Sequence, residues 1–227
     1  MLTLQYDDTN DYEIGVDEAG RGPLFGPLYI AAVVLPKEGF NGNGIKDSKK
    51  IKNKAKLAAL ATYIKDHSIA WSIQSIDHTI IDKINIRQAV FQGMHACIRD
   101  IFLKMAIPFD KKTVLLIDGN DFKPFYRFCE ETDHLTEIPY VTIEGGDNRF
   151  LPIAAASILA KNARDTYIEE LCKENPELST RYRIEKNMGY GTKAHLDGIE
   201  EHGITQWHRV TYRRCSSASI RPIIKPA

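Results

Sequence analysis

The sequence predicts an α/β fold: a mixed β-sheet flanked by helices, with a small helical extension at its C-terminal end. Three observations carry this reading. Three runs rich in β-branched and aromatic residues come before residue 77, and helical and strand-like patterns alternate after it. The length, 227 residues, is enough for one large domain and a smaller appendage.

Taken in order, Tyr12 to Val16 and Tyr29 to Leu35 read as strands joined by a Gly/Pro-rich turn. Lys49 to His67 carries Leu57, Leu60, Ala61 and Ile64 on one stripe, which predicts a helix. Trp71 to Ile76 alternates as a strand does, and Ile86 to Met105 repeats Val90, Met94, Cys97, Ile98 and Ile101 at helical spacing. Thr113 to Ile117 and Tyr140 to Ile143 are short apolar strands, closed by Asp-Gly and Gly-Gly signals respectively. Ile153 to Cys172 is a helix that opens after Pro152 and closes before Asn175-Pro176. That dipeptide sets the expected boundary between a domain over 1–175 and an extension over 176–227. Within the extension, Lys193 to His202 reads as a short helix and the tail from Ser216 as loose.

Thirty Lys and Arg balance thirty Asp and Glu, with 43% hydrophobic and 26% charged residues. This excludes disordered, collagenous and membrane-spanning chains. Four scattered cysteines without a Cys-x-x-Cys pair, and no apolar leader, point to a reducing cytoplasmic setting. The zero net charge is sorted along the chain. Six acids and no Lys or Arg precede Arg21, and eight lysines lie between Lys37 and Lys65. Arg209, Arg213, Arg214, Arg221 and Lys225 follow His202 without an acid. Such blocks suit a protein that gathers cations at one place and a polyanion beside it.

Several chemistries are absent from the pattern. Ile45 stands where a phosphate-binding loop needs Lys, and Phe25 spoils a dinucleotide fingerprint begun by Gly20-Arg21-Gly22. No Gly-x-Ser-x-Gly or His-Glu-x-x-His occurs, and the seven histidines lack metal-ligand spacing. Acids at strand ends stand out instead. Asp17-Glu18, Asp118 and Asp147 each follow a strand-like run. Carboxylates brought together repel unless protonated or bridged by cations, and hard Mg²⁺ or Mn²⁺ suits oxygen ligands. Four carboxylates fit two-metal phosphoryl chemistry better than zinc hydrolysis. Asp17 and Glu18 are adjacent, so they share a site only if the strand ends or bulges there.

The run Ile14-Gly15-Val16-Asp17-Glu18-Ala19-Gly20-Arg21-Gly22-Pro23-Leu24-Phe25-Gly26-Pro27 resembles the opening motif of the ribonuclease HII family. The likeness continues through Lys46-Asp47-Ser48-Lys49-Lys50, Ile84-Asn85-Ile86, Ile117-Asp118-Gly119, Gly146-Asp147, Ala154 to Lys161, Arg164-Asp165, Gly189 to Lys193 and His208-Arg209. It departs at Ile51-Lys52, where Leu-Ser is usual, and at Val210-Thr211-Tyr212, where the family ends in Ser-Phe.

The resemblance implies a ribonuclease H-like fold and a divalent-metal endonuclease. Its substrates would be RNA paired to DNA and single ribonucleotides embedded in duplex DNA. It assigns Asp17, Glu18, Asp118 and Asp147 to two Mg²⁺ or Mn²⁺ ions. Asp165 is a weaker rival to Asp147, and Glu144 reads as a plain strand residue. It assigns substrate contacts to Gly20, Arg21, Gly22, Ser48, Lys49, Lys50, Lys161 and Tyr190, with Tyr190 a platform at the RNA–DNA junction. Arg21 and the lysines would meet phosphates, which position substrate without reading sequence. Competing readings are another nuclease of this fold, of ribonuclease HIII or resolvase type, and a hybrid-binding module without catalysis. No clamp-binding peptide is evident, so no protein partner is inferred and a monomer is expected.

Overall fold

The computed structural model describes residues 2–130 and 133–223. Lys225 of the basic tail, and Glu131, lie outside the described residues. The chain divides into two compact units that interleave along the sequence. Unit 1 comprises 1–19, 29–74 and 91–162, and unit 2 comprises 20–28, 75–90 and 163–227.

Unit 1 is built on a five-stranded mixed sheet of order β3-β2-β1-β4-β7, from β1 (Tyr12–Ala19), β2 (Leu28–Val34), β3 (Ala70–Ile76), β4 (Thr113–Asp118) and β7 (Tyr140–Ile143). β1 runs antiparallel to β2 and parallel to β4, and β4 runs parallel to β7. The central strands are buried apolar runs, as strands covered on both faces must be. Helix α1 (Lys54–His67) joins the cluster of Val33, Leu57, Ala61, Ile64 and Ala154 to Ala156. Helix α3 (Ile86–Met105) brings the Cys97 thiol to within 3.4 Å of the Ile30 carbonyl on β2. Helix α4 (Leu151–Glu174) starts directly on β1, where a Cβ on Gly15 would stand 2.2 Å from the Pro152 carbonyl carbon.

Most expected elements are present, three of them with the expected bounds: α3, β7 and α7 (Lys193–His202). The helix expected from Lys49 begins later. Asp47 caps a separate 3-10 turn at Ser48–Lys50, and Asn53 then caps α1 by accepting from the Lys56 amide. A two-stranded ribbon, β5 (Tyr126–Cys129) with β6 (His134–Glu137), and a helix α2 (His78–Ile84) were not expected.

Unit 2 packs α5 (Pro176–Tyr182), α6 (Ile184–Asn187) and α7 with the second half of α4. The Asn175-Pro176 position falls inside this unit. Ile168 and Cys172 of α4 share one apolar cluster with Leu178, Tyr182 and Ile199, so the core runs through the expected boundary. The tail expected to be loose is tied as far as residue 223: Ile204 donates to the Ser219 carbonyl, Arg221 to that of Ile204, and Ile223 exchanges two hydrogen bonds with the Gln206 side chain. All four cysteines are buried and none forms a disulfide. Among the described residues no helix is long and apolar enough to cross a membrane.

Candidate active site

In unit 1 the acids converge at the ends of parallel strands. The β1–β4 ladder stops at Val16–Ile117, leaving Asp17 and Asp118 just past the last pair. β7 ends at Ile143, and Gly145 at φ 62° turns the chain into a 3-10 turn over Gly146–Asn148 that carries Asp147. Asp118 accepts from the Gly146 amide at 2.8 Å and from the Asp147 amide, which fixes its carboxylate at the mouth of that turn. Ser157, the lone polar residue of the Ile153–Ala160 run, hydrogen-bonds Asp17 and lies 2.9 Å from the Ser48 hydroxyl.

The electrostatics of this cluster are unfavourable as it stands. Burial, and then the charges of Glu18 and Asp118, push the Asp17 carboxyl well above its usual range. Asp118 is raised by burial against the pull of its two amides. Asp147 is raised by burial and by the charges of Asp118 and Asp47. Lys49 answers them: burial opposes its charge, but Asp17, Asp147, Asp47 and Asp118 outweigh that and hold it charged to higher pH. Lysine supplies one positive charge to a group of carboxylates.

Glu18 differs from its neighbour. β1 pairs with β2 without interruption to Ala19–Tyr29, so no bulge occurs, and the break lies only on the β4 side. Alternation along that ladder sends Asp17 and Glu18 to opposite faces. Among the described residues no three His, Cys, Asp or Glu side chains are arranged to hold a metal ion. The donor chemistry nevertheless suits a hard divalent cation: the groups are carboxylate oxygens, buried and mutually repelling, which a cation would relieve.

Two residues of the cluster were not singled out from sequence. Asp47 caps Lys49, accepts from Asn148, pairs with Lys50 at 3.6 Å and shares a hydrogen bond with the Asp147 carboxyl. Ser157 is the other, and its signal was a hydroxyl inside an otherwise apolar helix. Lys50 also meets the Asn148 side chain. Lys49 and Lys50 are exposed, and Lys161 is half-buried on α4. Asp165 lies on the unit 2 part of α4 rather than in this cluster.

Unit 2 brings together the remaining predicted contacts. Gly20 has φ +100°, and a Cβ there would meet the Arg164 side chain at 2.2 Å, so only glycine fits. The Arg209 guanidinium, fully buried, donates to the carbonyls of Gly20 at 2.7 Å, Arg21 at 3.1 Å and Gly26 at 3.0 Å, and to the Tyr212 hydroxyl. Arg164 holds the carbonyls of Phe25, Pro27 and Met188. With these carbonyls turned inward, Arg21 and Gly22 remain exposed. The Leu24 amide donates to the Gly189 carbonyl, and a Cβ on Gly22 would lie 3.6 Å from the Tyr190 ring. Tyr190 is 48% exposed and thus no plug over the core. Tyr212, which departs from the family's pattern, donates to the Arg21 carbonyl and so supports the same turn.

The fold is shared with known ribonucleases H of type 2. The chain is similar to ribonuclease H2 of Pyrococcus horikoshii OT3, with a TM-score of 0.67, 21% identity, and 90% of this chain and 95% of that one covered. It is similar also to the ribonuclease HII of Archaeoglobus fulgidus, solved in complex with PCNA, with a TM-score of 0.61, 23% identity, and 89% and 95% covered. The fold defines the class, that of ribonuclease H-like proteins. The ribonuclease HII family model matches residues 14–215. A curated ribonuclease HII of Parabacteroides distasonis is 41% identical over 211 residues, 93% of this chain and 94% of its own. The chain belongs to the ribonuclease HII family, and accordingly hydrolyses the RNA strand of RNA–DNA hybrids.

Proposed function

We propose that this protein also incises duplex DNA at a single embedded ribonucleotide, as in ribonucleotide excision repair, through a site that holds two divalent ions. Asp17, Asp118 and Asp147 are the core ligands; Glu18, on the opposite face of β1, would join them only if the strand turned beyond the last β4 pair when cations bind. The observation that carries the reading is the set of buried carboxylates whose charges push one another's protons on. Bound Mg²⁺ or Mn²⁺ would activate the attacking water and neutralise the leaving 3′-oxygen. Water adds to phosphorus as the P–O3′ bond breaks, leaving a 5′-phosphate on one product and a 3′-hydroxyl on the other.

The chain's own residues orient the substrate. Lys49, Lys50 and Lys161 meet phosphates around the acids; Ser48, expected to do the same, is buried against Ser157 and instead holds the turn that carries the two lysines. Gly20, Arg21 and Gly22 offer backbone donors to a ribose 2′-hydroxyl, with Arg21 on a phosphate. The Arg21 carbonyl is already taken by Arg209 and Tyr212, so recognition there falls to amides. Tyr190, exposed beside Gly22, stacks against the sugar at the junction. In this reading unit 1 carries catalysis and unit 2 helps hold the duplex. An open cavity of about 620 Å³ lined by Arg213, Arg214 and Arg221 suits a phosphate backbone.

Cleavage-site mapping on a one-ribonucleotide duplex and on a continuous hybrid, with Mg²⁺ and Mn²⁺, tests the proposal. Incision beside the lone ribonucleotide is expected. Tyr190→Ala should weaken that cut about tenfold more than cleavage of the hybrid, since one lost stack is worth roughly 1–3 kcal/mol. Hybrid cleavage without any single-ribonucleotide cut would refute it.

A further inference from the structure

Two histidines that the chemistry does not use are buried together in unit 2. His195 is 0% and His208 1% exposed, and their Nε2 atoms lie 3.0 Å apart. The Thr205 amide, which can only donate, reaches His208 Nδ1 at 2.9 Å. His208 Nδ1 is therefore an acceptor, and in a neutral ring Nε2 carries the proton. That proton points to His195 Nε2, which must accept it. His195 then carries its own proton on Nδ1, 3.0 Å from the Tyr190 carbonyl. The direction of every hydrogen bond, from Thr205 through both rings to Tyr190, follows from one backbone donor.

We propose that His195 and His208 form a neutral hydrogen-bond relay that fixes the main chain of Tyr190, making both of them positioning residues for recognition of the RNA–DNA junction. The inference rests on the role given to Tyr190 above.

The surroundings suit a relay better than a charge. Tyr182 flanks both rings, with centroids 6.1 Å from His195 and 5.2 Å from His208, and Phe25 meets His208 edge-on at 5.0 Å. An added proton on His208 Nδ1 would face the Thr205 amide, and one on His195 Nε2 would face the His208 N–H. Burial lowers the affinity of both rings for a proton, and the neighbouring His195 helps take His208 down to about 3.

The Tyr190 end is equally constrained. Its carbonyl also accepts from the Thr192 amide at 2.8 Å, and its own amide donates to Asn187 at 2.9 Å. Gly189, at φ +81°, would place a Cβ 2.9 Å from that of Phe25, so the turn cannot take a side chain there. With the carbonyl held inward by His195, the ring is left outward beside Gly22. Without that bond the carbonyl keeps only the Thr192 amide, and the main chain that carries the ring is less firmly held.

Two measurements on the full chain test this. Long-range ¹⁵N–¹H NMR should show His195 protonated on Nδ1 and His208 on Nε2, with neither titrating between pH 8 and 5; the opposite tautomers would overturn the relay. In kinetics, His195→Leu should raise KM for a one-ribonucleotide duplex about tenfold with kcat little changed. His195→Asn, whose amide can donate from near the Nδ1 position, should recover most of that loss. If His195→Leu does not fold, His195→Asn against His195→Gln makes the same comparison, because Gln places its amide near Nε2. Unchanged KM in these variants, alongside a raised KM in Tyr190→Ala, would overturn the relay while leaving the role of Tyr190 intact. Unchanged KM in Tyr190→Ala itself would remove that role and the relay's purpose with it.

Discussion

In unit 1 the buried acidic and basic side chains are the carboxylates of Asp17, Asp47 and Asp147, whereas in unit 2 they are arginines and histidines, Arg164, Arg209, His78, His195 and His208, each with a main-chain partner. Asp17 and Asp147 lie buried, and burial first, then neighbouring charge, raises both carboxyls above their usual range. Arg209 has three carbonyls and a phenol, and His208 has a donor on one nitrogen and an acceptor on the other. The difference teaches which part of the molecule is complete by itself. The acidic cluster of unit 1 would be stabilised by an added cation, whereas the Gly20–Gly22 turn of unit 2 is already held by the side chains around it.

The largest effect expected is on activity. Asp118→Asn keeps an acceptor for the Gly146 amide but removes a charge, and should cut turnover on the order of 10³-fold. In the metal-free protein the same change should stabilise by about 1 kcal/mol, because it relieves Asp17 and Asp147. A calorimetric scan beside the rate measurement checks both signs, and near-normal turnover at saturating Mg²⁺ would break the comparison. Arg209→Met acts in the opposite sense. It strips donors from buried carbonyls and should destabilise by about 3 kcal/mol with or without metal, seen as a lower urea midpoint.

Acid should separate the two units. His208 has a folded pKa of about 3 against 6.5 for the free side chain, so the unfolded chain binds more protons between those values. Its contribution is fully present above pH 6.5 and is lost as pH falls, about 2 kcal/mol by pH 5. The raised Asp17 has the other sign: the folded state binds the extra proton above 3.8, so acidification favours it. Hydrogen exchange at pH 7.5 and 5 should show protection falling at Gly203 and Ile204 but not along β1. The smallest difference concerns two aspartates. Asp147→Asn should lower turnover about tenfold more than Asp165→Asn, because only Asp147 lies in the acidic cluster. Paired metal titrations of the two variants would reverse the assignment if Asp165→Asn lost more with its fold intact.

Local pattern made much of this readable. The β-branched runs, the caps and the periodicity of α3 and α7 report on neighbours in sequence, and those elements stand where expected. The start of α1 did not, because Asp47 draws Ser48–Lys50 into its own turn and buries Ile51 before the helix begins. The β5–β6 ribbon escaped notice since its strands are four residues each and mostly exposed. In the site, acids after strands announced themselves. Asp47 and Ser157 did not, because partners of theirs stand far away along the chain: 109 residues separate Ser48 from Ser157, and 101 separate Asp47 from Asn148. The histidine relay spans only 13 residues between its rings, but it depends on the turns between them, which no periodicity announces.

The close approach at Gly15 sets the dimensional tolerance of the whole catalytic cluster. Helix α4 rests its first turn on the β1 backbone at that glycine, and Ser157 reaches Asp17 little more than one turn later. A single methyl group there has nowhere to go, since main-chain atoms rather than a yielding side chain oppose it. The helix would have to lift, carrying the serine off the aspartate. An atom that is missing from the chain thus works as the spacer against which the reacting groups are gauged, and redesign of this nuclease has no freedom at that point.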